Sequence, residues 1–269
     1  MWLLKELFKR FANEEVAGNS AEIAYFFMLS LFPFLIFLIS LVGYLPLAPA
    51  DILNLIKQYA PADTQRMIVS TLQEILNKQN DRLLYFGIIA TLLSGSNGIS
   101  AIVRAFNRAY EVKESRSFLL SRAISILLTI GMIIVFITAL LLPVFGKEIG
   151  LFIFTSFGFS EYFFDIWNTI RWFLSAFILF FVFTALYFFA PNKHMSLLDA
   201  LPGSMFTTIG WIGISSVFSY YVSNFGNYSA TYGSIGGIIV LMIWFYLTGM
   251  IIILGGELNA ILYLGKYRN

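Results

Sequence analysis

Residues 94–117 read SGSNGISAIVRAFNRAYEVKESRS, and they close a run otherwise as apolar as a membrane span. On a helix turning 100° per residue, Asn97, Ala101, Arg104 and Arg108 share one face, while Ile99, Ile102, Val103, Phe106 and Tyr110 share the other. A guanidinium binds phosphate or carboxylate through a planar fork of donors, so two arginines on one face are chemically an anion site. Two readings stay open at this point. Either the arginines end a packed span and meet headgroups, or they line a polar cavity that admits a substrate.

Two acidic residues bear on that choice. Glu22 opens the first apolar run, with Tyr25 and Pro33 near its face, and Glu257 lies near the inner end of the last, sharing a face with Tyr246, Met250 and Ile253. Asn259 faces away from Glu257, with Gly255 and Thr248. Ionisable groups at membrane depth are costly unless paired, so Arg104 or Arg108 is expected to pair with Glu22 or Glu257. Pro33 cannot donate to the Leu29 carbonyl, which predicts a kink in the first span. Ser94 with Gly98, and Ala101, Ala105 and Ala109 after them, are small residues at four-residue spacing that let a neighbouring backbone approach.

The elements that hold these residues follow from composition. Of 269 residues, 59% are hydrophobic and 12% charged, against about 25% charged in soluble domains. Six stretches reach the roughly 20 apolar residues that cross a bilayer: 21–45, 83–103, 118–145, 172–190, 201–222 and 235–264. The fold class is therefore all-α, a polytopic bundle of six transmembrane helices in one domain. Residues 1–17 place Trp2, Leu3, Leu7, Phe8 and Phe11 near one helical face and predict an amphipathic helix lying in the headgroup layer. No small-residue cleavage pattern follows it, so a cleavable signal is not expected.

Loop 46–82 has helical spacing broken by Pro46, Pro49 and Pro61 and predicts short amphipathic helices. Segment 146–171 fits either an interfacial or a re-entrant piece. Eleven Lys and Arg fall in the N-terminus, the second and fourth loops and the tail, and six in the other three loops. By the positive-inside rule both termini are expected in the cytoplasm.

Several chemistries are excluded or weakly supported. There is no cysteine, and the single histidine, His194, leaves no partner for a histidine-based metal site. No metal site or cofactor is expected. The net charge of +2 is dispersed, which argues against nucleic acid as a partner. His194 and Asp199 have the H-x4-D spacing of glycerolipid acyltransferases, without a companion block nearby. The alternative is that Asp199 starts the fifth span. No Walker A loop or H-E-x-x-H motif is present, so any transport would be passive, ion-coupled or partner-driven.

Four stretches, AEIAYFFMLSLFPFLIFLISL, SGSNGISAIVRAFNRAYEVKESRSF, FAPNKHMSLLDALPGS and NYSATYGSIGGIIVLMIWFYLTGMIIILGGELNA, resemble the YihY/virulence factor BrkB membrane proteins over residues 15–264. The resemblance implies a bacterial inner-membrane protein with six spans. Proteins of that family once carried the name ribonuclease BN, but a nuclease needs metal-binding carboxylates or histidines in an aqueous cleft, and these residues supply no such set. The family's link with serum resistance and envelope lipid handling implies movement of a lipid-like molecule.

Family positions matched here include Tyr25, Pro33, Ser94, Asn97, Arg104, Asn107, Arg108, Tyr228, Tyr232, Gly233, Glu257 and Asn259, whereas Glu22 stands where relatives often carry a small residue. The expected substrate group is Asn97, Arg104, Asn107, Arg108 and Glu257. Glu22, Tyr25, Pro33, Ser94, Tyr228, Tyr232, Gly233 and Asn259 are expected to shape or gate the path. Three functional readings follow: a transporter or flippase of an anionic amphiphile, a non-transporting scaffold for envelope proteins, and, with least support, a membrane enzyme. Membrane lipids are the expected partners in the first reading and envelope proteins in the second.

Overall fold

The computed structural model describes residues 6–7, 10, 14–42, 81–135, 161–225 and 235–267. Six long helices account for most of them: α1 Glu14–Val42, α2 Asp81–Ala109, α3 Phe118–Val135, α4 Glu161–Phe189, α5 Leu197–Phe225 and α6 Ile235–Tyr267. All six are long and apolar enough to cross a membrane, and no strand occurs among the described residues.

Most helices run beyond the apolar stretches, because polar residues extend and cap them instead of ending them. Residues 14–17, expected in a separate interfacial helix, are the first turn of α1, and residues 161–171 are the continuous start of α4. Loop 46–80, segment 146–160, and Tyr228, Tyr232 and Gly233 lie outside the described residues.

The chain divides into two compact units. In the smaller, residues 27–95, a Cβ on Gly87 would lie 2.7 Å from the Phe37 backbone nitrogen, so the glycine permits close approach of α2 to α1. Ser94 and Thr91 turn their hydroxyls back onto the Ala90 and Gly87 carbonyls. Such back-bonding satisfies a hydroxyl where no water is present. Pro33 sits inside α1, and Tyr25, in the other unit, is exposed.

The larger unit, residues 1–26 and 96–269, holds the core. Ile23 of α1, Ile99, Ile102 and Phe106 of α2, Phe183, Leu186 and Tyr187 of α4, and Ile252 and Ile253 of α6 are fully buried. Helices α5 and α6 touch backbone to backbone. A Cβ on Gly203 would lie 2.3 Å from the Gly255 carbonyl oxygen; one on Gly255 would meet the Thr207 hydroxyl and the Tyr187 phenol. Gly256 likewise leaves room for the Phe106 ring.

At the same level Pro202 removes one N–H from the first turns of α5. The wholly buried Asn259 side chain bonds the backbone on either side of that proline: its Oδ1 accepts from Gly203 N–H at 2.6 Å, and its Nδ2 donates to the Ala200 carbonyl at 3.1 Å, which the Ser204 hydroxyl also meets. Asn259 thus packs α6 against α5.

Local capping fixes the connections. Glu111 has φ 56°, with Glu111 N–H bonded to Arg108 O and Val112 N–H to Asn107 O, a Schellman end to α2. Ser117 caps α3 by accepting from Leu120 N–H through its hydroxyl. Ser196 and Asp199 form a capping box at the start of α5: Asp199 Oδ2 accepts from Ser196 N–H at 2.9 Å, and the Ser196 hydroxyl accepts from Leu198 N–H. The H-x4-D spacing is therefore a helix start, and Lys266 lies 3.5 Å from the same carboxylate.

The α2–α3 and α4–α5 connections are bound to each other. Asn107, buried, accepts from Asn192 N–H at 2.7 Å and donates to Glu114 Oε2 at 2.9 Å. Asn192 in turn donates to the Lys113 carbonyl and the Ser115 hydroxyl. Arg116 pairs with both Glu114 oxygens and donates to the Phe189 and Ala190 carbonyls. A cation on the last carbonyls of α4 also suits its dipole.

The Arg116 hydrogen bond, chiefly, holds the Glu114 carboxyl well down, at about 2 against an ordinary 4.5. A depressed folded-state value means that the contribution is complete above the ordinary value and is lost as pH falls from 4.5 towards about 2. Glu114→Gln should therefore lower the melting temperature at neutral pH, and acid scans should show the gap to the parent closing over that window. Asn259→Ala removes two buried hydrogen bonds to the α5 backbone, at about 0.5–1.5 kcal/mol each. It should lower the melting temperature in detergent more than Thr248→Ala, whose buried hydroxyl has no partner to lose.

Candidate functional site

The apolar face of α2 is buried, as its spacing predicts, and the polar face is shared between two neighbouring helices. Along one edge lies the start of α1, where Ala101, Ala105 and Ala109 are buried and the arginines reach across. Arg104 donates to Glu22 Oε1 at 2.5 Å. Arg108 donates to the Asn19 amide oxygen at 2.5 Å, with Glu15 at 3.8 Å. Along the other edge lies α3, where Asn97 accepts from Arg122 at 2.8 Å and Ser100 donates to Ser125 at 3.1 Å.

The expected pairing of an arginine with Glu22 or Glu257 is present as Arg104–Glu22. The two side chains are 51% and 39% exposed, however, so this is not a deeply buried pair. Glu257 takes a different partner. Arg10, from the N-terminal segment, bonds its Oε2 at 2.5 Å and also the Ala109 carbonyl at 3.3 Å. One side chain thereby ties the N-terminal segment to the ends of α2 and α6. The sequence singled out Arg10 only as one of several N-terminal charges, since nothing in its spacing marks a residue 247 positions away as its partner.

Arg10, Glu15, Asn19, Arg108, Glu111 and Glu257 line a cavity of about 190 Å³, floored by Val16, Ala105, Ala109 and Ile253. Of the expected substrate group, Arg108 and Glu257 meet here. Arg104 stands one helical turn away, Asn97 faces α3, and Asn107 is committed to the connection described above. Arg10, Glu15, Asn19 and Glu111 are the members that the sequence did not single out for this site; for Glu15 and Asn19 a signal was present. It is their polar i, i+4 spacing just before the apolar run of α1. No group of three or more His, Asp or Glu that could hold a metal occurs among the described residues.

Six apolar helices with a charged cleft where the ends of α1, α2 and α6 meet define a multi-pass membrane protein. More particularly, the chain belongs to the virulence factor BrkB family, which matches residues 7–268. It is 56% identical over 266 residues to the putative ribonuclease-like protein YfkH of Bacillus subtilis (strain 168), covering 99% of this chain and 97% of that one. It is 28% identical over 274 residues to the UPF0761 membrane protein VP0125 of Vibrio parahaemolyticus serotype O3:K6 (strain RIMD 2210633), covering 96% and 81%. No solved structure matches.

The two ion pairs should differ in energetic weight. Arg10 and Glu257 are 24% and 15% exposed, so burial makes an unpaired member costly, whereas exposed pairs are worth under about 1 kcal/mol. Double-mutant cycles on thermal stability, with Arg10→Ala and Glu257→Gln against Arg104→Ala and Glu22→Gln, should give a coupling of about 1–3 kcal/mol for the first pair and less for the second. Equal coupling in both cycles would refute this ordering.

Proposed function

We propose that this protein moves an anionic lipid or lipid-like envelope molecule across the bacterial inner membrane, as a transporter or flippase and not as an enzyme. Both termini and the cleft face the cytoplasm in this reading, in keeping with the basic bias of the loops. The observation that carries it is Arg108. Its side chain is 47% exposed and lies on the cleft wall, with one amide bond and a carboxylate at 3.8 Å. Several guanidinium donors are therefore left for an incoming phosphate, whereas Arg104 is held by Glu22 at hydrogen-bonding distance. The small residues along α2 would let α1 shift and open a groove for the apolar part of the substrate.

A scaffold is the second reading, favoured by the balance of charge in the cleft. Arg10 and Arg108 face Glu15, Glu111 and Glu257, so the resting site has no net excess of positive charge. A transported anion must loosen one of these contacts, and a scaffold need not.

Purified protein in liposomes carrying fluorescent anionic and zwitterionic lipids separates the two. The anionic probe should cross faster than the zwitterionic one. Arg108→Ala should slow it by about tenfold or more, the worth of a charge-assisted hydrogen bond. Arg108→Lys should fall between, and Ile102→Leu on the opposite face should behave as the parent. Crossing rates equal with and without protein, over a panel of native lipid extracts, would favour the scaffold.

A further inference from the structure

A second, larger cavity of about 390 Å³ lies where the α2–α3 and α4–α5 connections meet, away from the charged cleft. Its lining separates by chemistry. Arg116, Asn192, Lys193 and His194 form a polar side, and Ile124, Phe188, Phe189, Pro191 and Met195 an apolar one. No carboxylate belongs to the lining. Arg116 is held by Glu114 and by the end of α4, so its charge is largely compensated. Lys193 has no ion pair among the described residues: its ammonium lies 5.5 Å over the Tyr263 ring, an aromatic platform that positions the cation without neutralising it.

We infer that this cavity binds the phosphodiester headgroup of an anionic phospholipid, with Lys193 and His194 on the phosphate and an acyl chain along Ile124, Phe188 and Phe189. Two observations favour a lipid over a soluble anion. More than half of the lining residues are apolar. The helix ends around it also expose large apolar side chains that a membrane protein presents to lipid: Phe118 and Leu119 at the start of α3, Phe189 at the end of α4, and Leu197 and Leu198 at the start of α5. Basic residues beside such an apolar rim match both halves of the molecule. The site does not depend on the transport reading, because lipid bound here need not move.

The test uses the purified full chain in a neutral detergent, titrated with dioctanoyl phosphatidylglycerol, dioctanoyl phosphatidylcholine or inorganic phosphate and followed by native mass spectrometry. Phosphatidylglycerol should bind saturably and more tightly than phosphatidylcholine. Lys193→Gln should weaken it about fivefold, the worth of one basic residue at an anionic surface, and Lys193→Arg should restore it. Ile124→Trp fills the apolar side without removing charge and should also weaken binding, which keeps the test informative if Lys193→Gln melts early through its lost contact with Tyr263. Ile102→Leu, at a residue that lines neither cavity, should leave this binding intact. Unchanged binding in both the Lys193 and Ile124 variants, or an equal loss in Ile102→Leu, would overturn the assignment. Inorganic phosphate binding as tightly as the lipid and unaffected by Ile124→Trp would make this a free-phosphate site instead.

Discussion

The Asn259 amide is the contact on which much of the larger unit depends. It sits where α5 and α6 come closest, beside Gly203 and Gly255, and it bonds the Gly203 N–H and the Ala200 carbonyl on either side of Pro202. Away from water an unsatisfied amide or carbonyl is expensive, so backbone beside a proline in a spanning helix gains from a neighbouring helix that offers a donor and an acceptor. Asn259 supplies both, and in doing so it fixes the height and rotation of α6 against α5. A few residues earlier, Tyr187 bonds the Ile252 carbonyl and Thr207, which ties α4 to the same junction.

The position of the charged cleft follows from that junction. With α6 fixed at Asn259, the preceding turn presents Glu257 to Arg10 and sets Gly256 against the Phe106 ring of α2. Helix α2 then turns its alanines towards the start of α1, and Arg104 and Arg108 reach Glu22 and Asn19. The cleft is thus bounded by helices whose packing is decided by glycine, alanine and amide contacts, while its charges are arranged at their ends.

The two cavities differ in a way that suits separate roles. The cleft alternates cations with carboxylates, so an entering anion must compete with resident partners. The cavity at the α4–α5 connection offers an uncompensated lysine beside an aromatic wall and requires no such exchange.

The six spans were legible in the sequence because apolar run length is a local property, and so was the division of α2 into a buried and a polar face, because helical period is local too. The resemblance of four separated stretches likewise identified the family. Helix ends were less legible: α1 begins seven residues before its apolar run because Glu14–Ser20 is stabilised by tertiary partners, not by hydrophobicity. Partner choice was not legible at all. Asn107 and Asn259 look alike as polar residues near the end of a span, yet one clamps two connections and the other joins α6 to the backbone of α5. Glu257 faces Arg10 and not Arg104 for the same reason. Sequence pattern fixes which face of a helix carries a group, whereas the partner across a gap depends on the rotation and height of neighbouring helices, which only the packing of glycines, alanines and buried amides decides.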